Sequence, residues 1–361
     1  MENSVCHYDW CYVSGRVNVM ECSLLSSNFF ERLLSTDDFK DVLANLNNTP
    51  LKAYFTHVKH LYEFEALLDE YYYNRLDEIR SLSPETAVCD FFLLRNDVHN
   101  LKRFIKCKIL GASVDKLFRG TMSRDEWGDV WQDKSTTLPE IFRESVSFVK
   151  KVVLQHNHNQ ITPHISPASQ GGEEVMVKEE SLPFIIDLIF DGAYLRYVED
   201  YCKKIEVEII KRYLETYQLM KGLEVIRRAI SLRLDMNLLS QYFMEGFDKG
   251  HVFHKLAKNT VWASEQTVRD VLIETHCKAT LQGLLLSNLS RNISFQYEVA
   301  TDNYLLDMLR PVKYIPFGPE RVFGYLCGLT TEVFNLKLLL GGKVHRVEND
   351  LLRERLRKTY V

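Results

Sequence analysis

Eight cysteines and eleven histidines are the residues with which this sequence could do metal or nucleophilic chemistry. Their spacing argues against it. The cysteines stand at 6, 11, 22, 89, 107, 202, 277 and 327, with no C-x-x-C among them. Cys6, His7 and Cys11 lack the second Cys or His pair that a four-coordinate zinc site needs. His156, His158 and His164 fall in a polar stretch whose simpler reading is an inert loop. Phosphate-loop, dinucleotide, zinc-hydrolase and nucleophile-elbow motifs are missing as well. The sequence therefore predicts no catalytic residue, no cofactor and no metal. What remains is ionic and amide chemistry, and it gathers in one stretch, FFLLRNDVHNLKRFIKCKILG at 91–111.

In that stretch Leu94, Val98, Leu101 and Ile105 recur at four, three and four residues, one apolar stripe of an α-helix. Around it stand Arg95, Asn100, Lys102 and Arg103, and Asp97 precedes Val98. The pattern returns in LTTEVFNLKLLLGGK at 329–343, which shares V-x-N-L-K with the first copy. There the stripe is Leu329, Val333, Leu336 and Leu340, with Glu332, Asn335 and Lys337 in the places of Asp97, Asn100 and Lys102. A weaker copy at 213–230 has Leu219, Leu223, Ile226 and Ile230 but neither the Asn nor the carboxylate; a second register would put Gly222 at the Asn place. The leucine stripes are expected to be core. The Asn residues either bond backbone within their own domain or face a partner, and the two carboxylates are expected to act as local salt-bridge partners.

These residues must be carried on helices. Sixteen glycines and nine prolines in 361 residues fall below the roughly 7% and 5% of ordinary proteins. Hydrophobic residues make up 46% and charged residues 26%, enough apolar surface for a core without staples. Helices are predicted from Ser26 or Ser27, from Ser35 or Thr36, over 58–82, over 91–111 ended by Gly111, and over 138–155 with Pro139 in the first turn. Further helical pattern runs over 183–247, 264–289 and 302–361, with Gly318-Pro319 as a turn, Gly341-Gly342 as a stop and Glu348 as a start. Residues 156–181 read as an exposed loop. The motif centres near 100, 223 and 335 are too far apart for a solenoid repeat of roughly 20–50 residues. They suit three helical domains: 1–122, 123–245 and 246–361. No apolar run reaches the roughly 18 residues that span a bilayer, and MENSVCHYDW is not a signal peptide. Reduced thiols in a cytosolic protein are expected. A net charge of −4 argues against a nucleic-acid binder.

The two motif copies also carry a resemblance. LLRNDVHNLKRFIKCKILG and YLCGLTTEVFNLKLLLGGKVHRVENDLLRERLRKTYV resemble the C-type subunits of bacterial and archaeal A/V-type rotary ATPases, which are similar to the d-type subunit of the eukaryotic vacuolar ATPase. Glu332, Asn335, Leu336, Lys337, Gly342, Lys343 and the run Arg353–Arg357 occupy the family's E-x-x-N-L-R/K, G-K and R-E-R-L-R places. The opening YVSGRVNVMECSLLSSNFFERLL fits as well, with Gly15 at a usual Ala. The second repeat and the stretch 156–181 depart from the pattern.

The resemblance implies an all-α protein of three pseudo-symmetric domains forming a funnel. It implies a non-catalytic rotor subunit, a socket between the central shaft and the membrane proteolipid ring, transmitting torque between ATP chemistry and H⁺ or Na⁺ movement. It would work at the cytoplasmic side of the membrane and touch it only through the complex. The candidate interface residues are Arg95, Asn100, Lys102, Arg103, Arg227, Arg228, Asn335, Lys337, Lys343, Arg353 and Arg357. The rival reading is a helical scaffold outside any rotary ATPase.

Overall fold

The structure, a computed structural model, describes residues 7–36, 38–56, 61–114, 117–123, 126–132, 134, 138–161, 182–231, 236–248, 251–254 and 294–361. Among them there is no strand: the fold is all-α. In chain order the helices are α1 (Cys11–Glu21), α2 (Ser27–Ser35), α3 (Phe39–Leu46), α4 (Lys52–Phe55), α5 (Phe64–Leu82), α6 (Ala87–Ile109), α7 (Trp127–Val130), α8 (Glu140–Ile161), α9 (Leu182–Lys204) and α10 (Glu208–Ser231). A short α11 (Met236–Leu238) runs into a π-helical turn, Leu239–Phe243. Then come α12 (Ser294–Leu309), a 3₁₀ turn Arg310–Tyr314, α13 (Pro319–Val344) and α14 (Asn349–Arg355). No helix among the described residues is long and apolar enough to cross a membrane.

The chain forms two compact units, each drawn from separate stretches. The first unit comprises 1–90, 205–213 and 283–361; the second comprises 91–204 and 214–282. These are groupings by contact, whereas the three segments 1–122, 123–245 and 246–361 divide the chain by sequence pattern.

In the first unit α13 is the central helix. Seventeen of its residues are buried, including Leu329, Val333, Leu336 and Leu340, so it is apolar nearly all round, as an enclosed helix must be. It packs on α5 and on α1, whose Leu68, Tyr71 and Ile79, and Val13, Val17 and Met20, are buried. Residues 356–361 leave α14 as extended chain and lie back along α13. There Tyr360, 2% exposed, seats its ring over Gly324 and Gly328. A Cβ on Gly328 would stand 2.7 Å from Tyr360 Cβ, so the helix must be bare at that turn.

In the second unit α6, α8 and α10 surround α9, whose Ile185, Ile186, Ile189, Phe190, Ala193 and Val198 are buried. α6 ends as expected at Gly111, in left-handed geometry at φ 65°, with Ala112 N–H donating to Cys107 O at 2.9 Å, a Schellman closure. Leu94, Val98, Leu101 and Ile105 are all buried.

Several boundaries differ from expectation. The second short helix starts at Asp38, whose carboxylate caps Lys40 N–H at 3.0 Å, not at Ser35 or Thr36. Asp38 has the extended backbone and the acceptor that an N-cap requires. α8 runs on to Ile161, so residues 156–161 are helical, and 162–181 lie outside the described residues. Gly341 and Gly342 do not stop α13, which continues to Val344. Gly342 packs under Leu352 of α14 instead. The expected helix at 264–289 lies outside the described residues, as do Cys6 and His164 and the side chains of His7, His156 and His158. Cys11, Cys22, Cys89, Cys107 and Cys327 are free thiols.

Candidate functional site

The repeated motif builds the same device in each unit. In α6, Asn100 is fully buried. Its Nδ2 donates to Phe118 O at 2.7 Å and its Oδ1 accepts Phe118 N–H at 2.8 Å. In α13, Asn335 is 1% exposed and holds Arg357 in the same two-point grip, at 2.8 and 2.9 Å. A side-chain amide has one donor and one acceptor side by side, so it can stand in for a neighbouring strand. Each Asn thereby pins a chain segment that returns without helix or sheet partners of its own.

The carboxylate three residues earlier does related work. Asp97 accepts Thr121 N–H at 2.8 Å, the Thr121 hydroxyl at 2.5 Å and Met122 N–H at 3.4 Å. Gly120 lies so close that a Cβ there would meet Asp97 Oδ1 at 1.9 Å. Glu332 accepts Leu25 N–H at 2.5 Å and the Tyr71 hydroxyl at 3.3 Å. Neither forms an ion pair among the described residues, so the expected salt-bridge role is corrected to backbone and hydroxyl acceptor. Burial is the reason: with full enclosure on offer, N–H and O–H donors reach these carboxylates and cations do not. Burial also raises both acids, Asp97 against its Thr121 bonds and Glu332 up to about 7.

The lysine after the motif leucine is an interhelical tie in both copies. Lys102 pairs with Asp191 of α9, and Lys337 pairs with Asp69 of α5 at 2.5 Å. One turn on, Lys106 pairs with Asp187 at 2.6 Å. Lys102 and Lys106, four apart on α6, thus meet Asp191 and Asp187, four apart on α9, as an antiparallel ladder. That i, i+4 acid pair was a readable signal in the sequence. The Gly324-x-x-x-Gly328 groove for Tyr360 was another.

The weak third copy behaves differently. Leu219, Leu223 and Ile226 are buried, while the side chain of Ile230 lies outside the described residues. Gly222 pins no backbone: the Phe253 ring lies against it, 2.0 Å from where a Cβ would stand.

Of the candidate interface residues, Arg95, Lys102 and Arg228 come together. They line a cleft of about 280 Å³ in the second unit, walled by α6, α9 and α10. Lys221, paired with Glu224 at 3.0 Å, adds a fourth cation. Val98, Leu188 and Leu195 line it with apolar atoms. His99 at its wall is lowered by burial and then by Lys102, Arg103 and Arg95, a sign of positive field. Asp191 is raised by burial although Lys102 opposes it.

Arg103 is half-buried beside the cleft, and the side chain of Arg227 lies outside the described residues. Lys343 of α13 holds Leu34 O at 2.6 Å and Asn349 at 2.8 Å. Arg353 is surface-exposed, between Glu31 and Asp350. Arg357, 9% exposed, bonds Asp302 at 3.0 Å and stacks over Phe334. Lys358 pairs with Asp307 at 2.6 Å. The basic tail is thus clasped to α12 and α13, with only Asn349–Arg355 helical.

Both clamp asparagines, Asn100 and Asn335, lie inside a match that covers nearly the whole chain: the ATP synthase (C/AC39) subunit family matches residues 13–355. The chain belongs to this family. Among curated relatives, the C-type subunit of the A-type ATP synthase of Methanocaldococcus jannaschii is 21% identical over 373 positions, 96% of this chain and 86% of that protein. The C-type subunit of the V-type sodium ATPase of Enterococcus hirae is 20% identical over 351 positions, 94% of this chain and 95% of that protein. The family resemblance read from the two motif copies is therefore established, and membership makes this chain a rotary-ATPase subunit of the C type. At such low identity what these relatives share is the family, so the residue roles above rest on this chain's own geometry.

Proposed function

We propose that this subunit is the non-catalytic socket of the rotor, coupling the central shaft to the membrane proteolipid ring and carrying torque between ATP chemistry and H⁺ or Na⁺ movement. In this reading three pseudo-symmetric domains, 1–122, 123–245 and 246–361, form a funnel, and the chain works at the cytoplasmic face of the membrane through its complex. The observation that carries the proposal is family membership over 13–355. The structure adds a place to look. Asn100, Asn335, Lys102 and Lys337 hold the subunit's own fold, so the surface grip falls to exposed cations at the cleft, Arg95 and Arg228.

A torque-bearing contact needs stiff walls. The buried clamps and the lysine–aspartate ladder supply them. Arginine suits such a rim because its planar fork makes directional, charge-assisted bonds to carboxylates. The test is Arg95→Glu with Arg228→Glu in the reconstituted ATPase, measuring ATP hydrolysis and ion uptake together in vesicles. These exposed changes should alter stability by no more than about 0.5 kcal/mol each. The expected result is hydrolysis retained and fewer ions moved per ATP, worse at low salt where screening is weak. Loss of both activities with dissociated subunits would assign the cleft to assembly. Unchanged values for both would remove the cleft from the coupling path.

A further inference from the structure

Glu332 sits midway along α13 at 4% exposure. It bridges three parts of the first unit: its own helix, α5 through the Tyr71 hydroxyl, and the turn before α2 through Leu25 N–H. Two donors serve its two oxygens, and no cation lies within ion-pair distance among the described residues. Arg75 of α5 is the charge that acts on it; that guanidinium leans over the Tyr71 ring, 5.7 Å from its centroid, and pairs with Glu78 at 3.7 Å. Tyr325 on α13 is the other titratable neighbour.

The remaining ionised groups on the elements around it are committed elsewhere or exposed. From α1, Glu21 pairs with Arg321 and Arg16 with Glu78. From α5, Asp69 pairs with Lys337. Lys40 and Asp41 of α3 are exposed. From α14 and the tail, Arg353 meets Glu31, and Arg357 meets Asp302.

The segment that Glu332 holds has a second anchor. Eleven residues along α13, Lys343 Nζ donates to Leu34 O at 2.6 Å. The stretch from Leu25 to Leu34, which is α2 and its lead-in, is therefore tied to α13 at both ends by side chain to backbone. Its apolar face, Phe30, Leu33 and Leu34, is buried between the ties. The glutamate end is the one whose charge burial makes sensitive to pH. An ionised carboxylate without a counter-ion, enclosed in protein, is costly, and two hydrogen bonds do not fully offset it.

We propose that Glu332 is a proton-operated latch that holds α2 on α13 when protonated and lets that end open when ionised. In the closed form the carboxyl is protonated and keeps both contacts, Oε1 facing the Tyr71 hydroxyl and Oε2 accepting Leu25 N–H. Opening exposes the carboxyl to water, where it loses the proton to solvent. Burial lifts the closed-state value to about 7 from an ordinary 4.5. A raised acid value means that the stabilisation is complete below the ordinary value and is lost as pH climbs through the raised one. The latch is thus firm in acid and slack in mild alkali. In an ion-moving ATPase it would make the stiffness of this unit answer to the pH around it.

Hydrogen exchange on the full-length isolated chain reads the latch directly and does not depend on the coupling role. Protection of peptides spanning 23–36, corrected for the intrinsic pH dependence of exchange, should fall about tenfold between pH 6 and pH 8 and then level off. Glu332→Gln keeps the shape, the acceptor and a donor without the titration, and its protection should be flat across that range. Tyr71→Phe, which keeps the ring but removes a bond that favours the charge, should move the midpoint to higher pH. Flat protection in the parent chain, the same tenfold fall in Glu332→Gln, or an unmoved or lowered midpoint in Tyr71→Phe would each overturn the proposal.

Discussion

Removing the amide of Asn335 should release the end of the chain while leaving the rest of its unit closed. In Asn335→Ala, Arg357 loses the partners of both its N–H and its C=O, bonds of 2.9 and 2.8 Å. Each backbone polar group left unsatisfied in a buried place costs about 1–3 kcal/mol. Arg357 is only just buried, at 9% exposure, and the space vacated by the amide can take a water, so each loss falls at the low end of that range, about 1–1.5 kcal/mol. Two groups then sum to about 2–3 kcal/mol. At 1.4 kcal/mol per tenfold, the Arg357 and Lys358 amides should exchange with solvent roughly 30- to 100-fold faster. Peptide-level hydrogen exchange over 355–361 measures this. Asn100→Ala is the matched control: it should speed exchange at 117–123 and leave 355–361 unchanged. The reasoning fails if the tail is indifferent to Asn335→Ala, or if Asn100→Ala loosens the tail as much.

Two further outcomes are expected. Gly328→Leu should push Tyr360 off α13, since a Cβ alone stands 2.7 Å from Tyr360 Cβ; the overpacking costs about 1–3 kcal/mol, and carboxypeptidase should then trim residues that it leaves intact in the parent chain. Leu101→Asp and Leu336→Asp each bury an unpaired carboxylate at a fully enclosed position, costing several kcal/mol. The first should loosen the second unit, read by Trp127, and the second should loosen the first unit, read by Trp10. Fluorescence melting that reports the same unit in both variants would refute the assignment.

The helices and the core stripes were legible because their signals are local. Four-three-four spacing of leucines needs nothing beyond the helix's own period, and Leu94, Val98, Leu101 and Ile105 lie where that period puts them. The V-x-N-L-K copies were equally visible, but their meaning was not. Whether Asn100 turns to a partner or to Phe118 depends on where a segment 18 residues downstream returns, and no local pattern encodes that return. The same holds for Glu332, whose donor Leu25 is 307 residues away. The clasp of the basic tail was not legible because its acids, Glu298, Asp302 and Asp307, sit some fifty residues earlier in sequence. The stop expected at Gly341-Gly342 failed for a packing reason: glycine there makes room for Leu352 and Phe64 without breaking the helix.

The first unit is assembled from residues 1–90, 205–213 and 283–361, with the second unit's two stretches between them. On a ribosome this order matters. The apolar faces of α1 and α5 emerge early, but their shared partner α13 is not complete until residue 344. At about 5–20 residues per second, some 250 residues of synthesis leave those faces uncovered for roughly 10–50 s. A chain built this way has a long aggregation-exposed interval during biosynthesis, whatever its final stability. Expression at lower temperature, or with a holdase chaperone in excess, should raise the yield of folded protein more than core-stabilising substitutions do. A fragment ending before α13 should fail to accumulate in folded form.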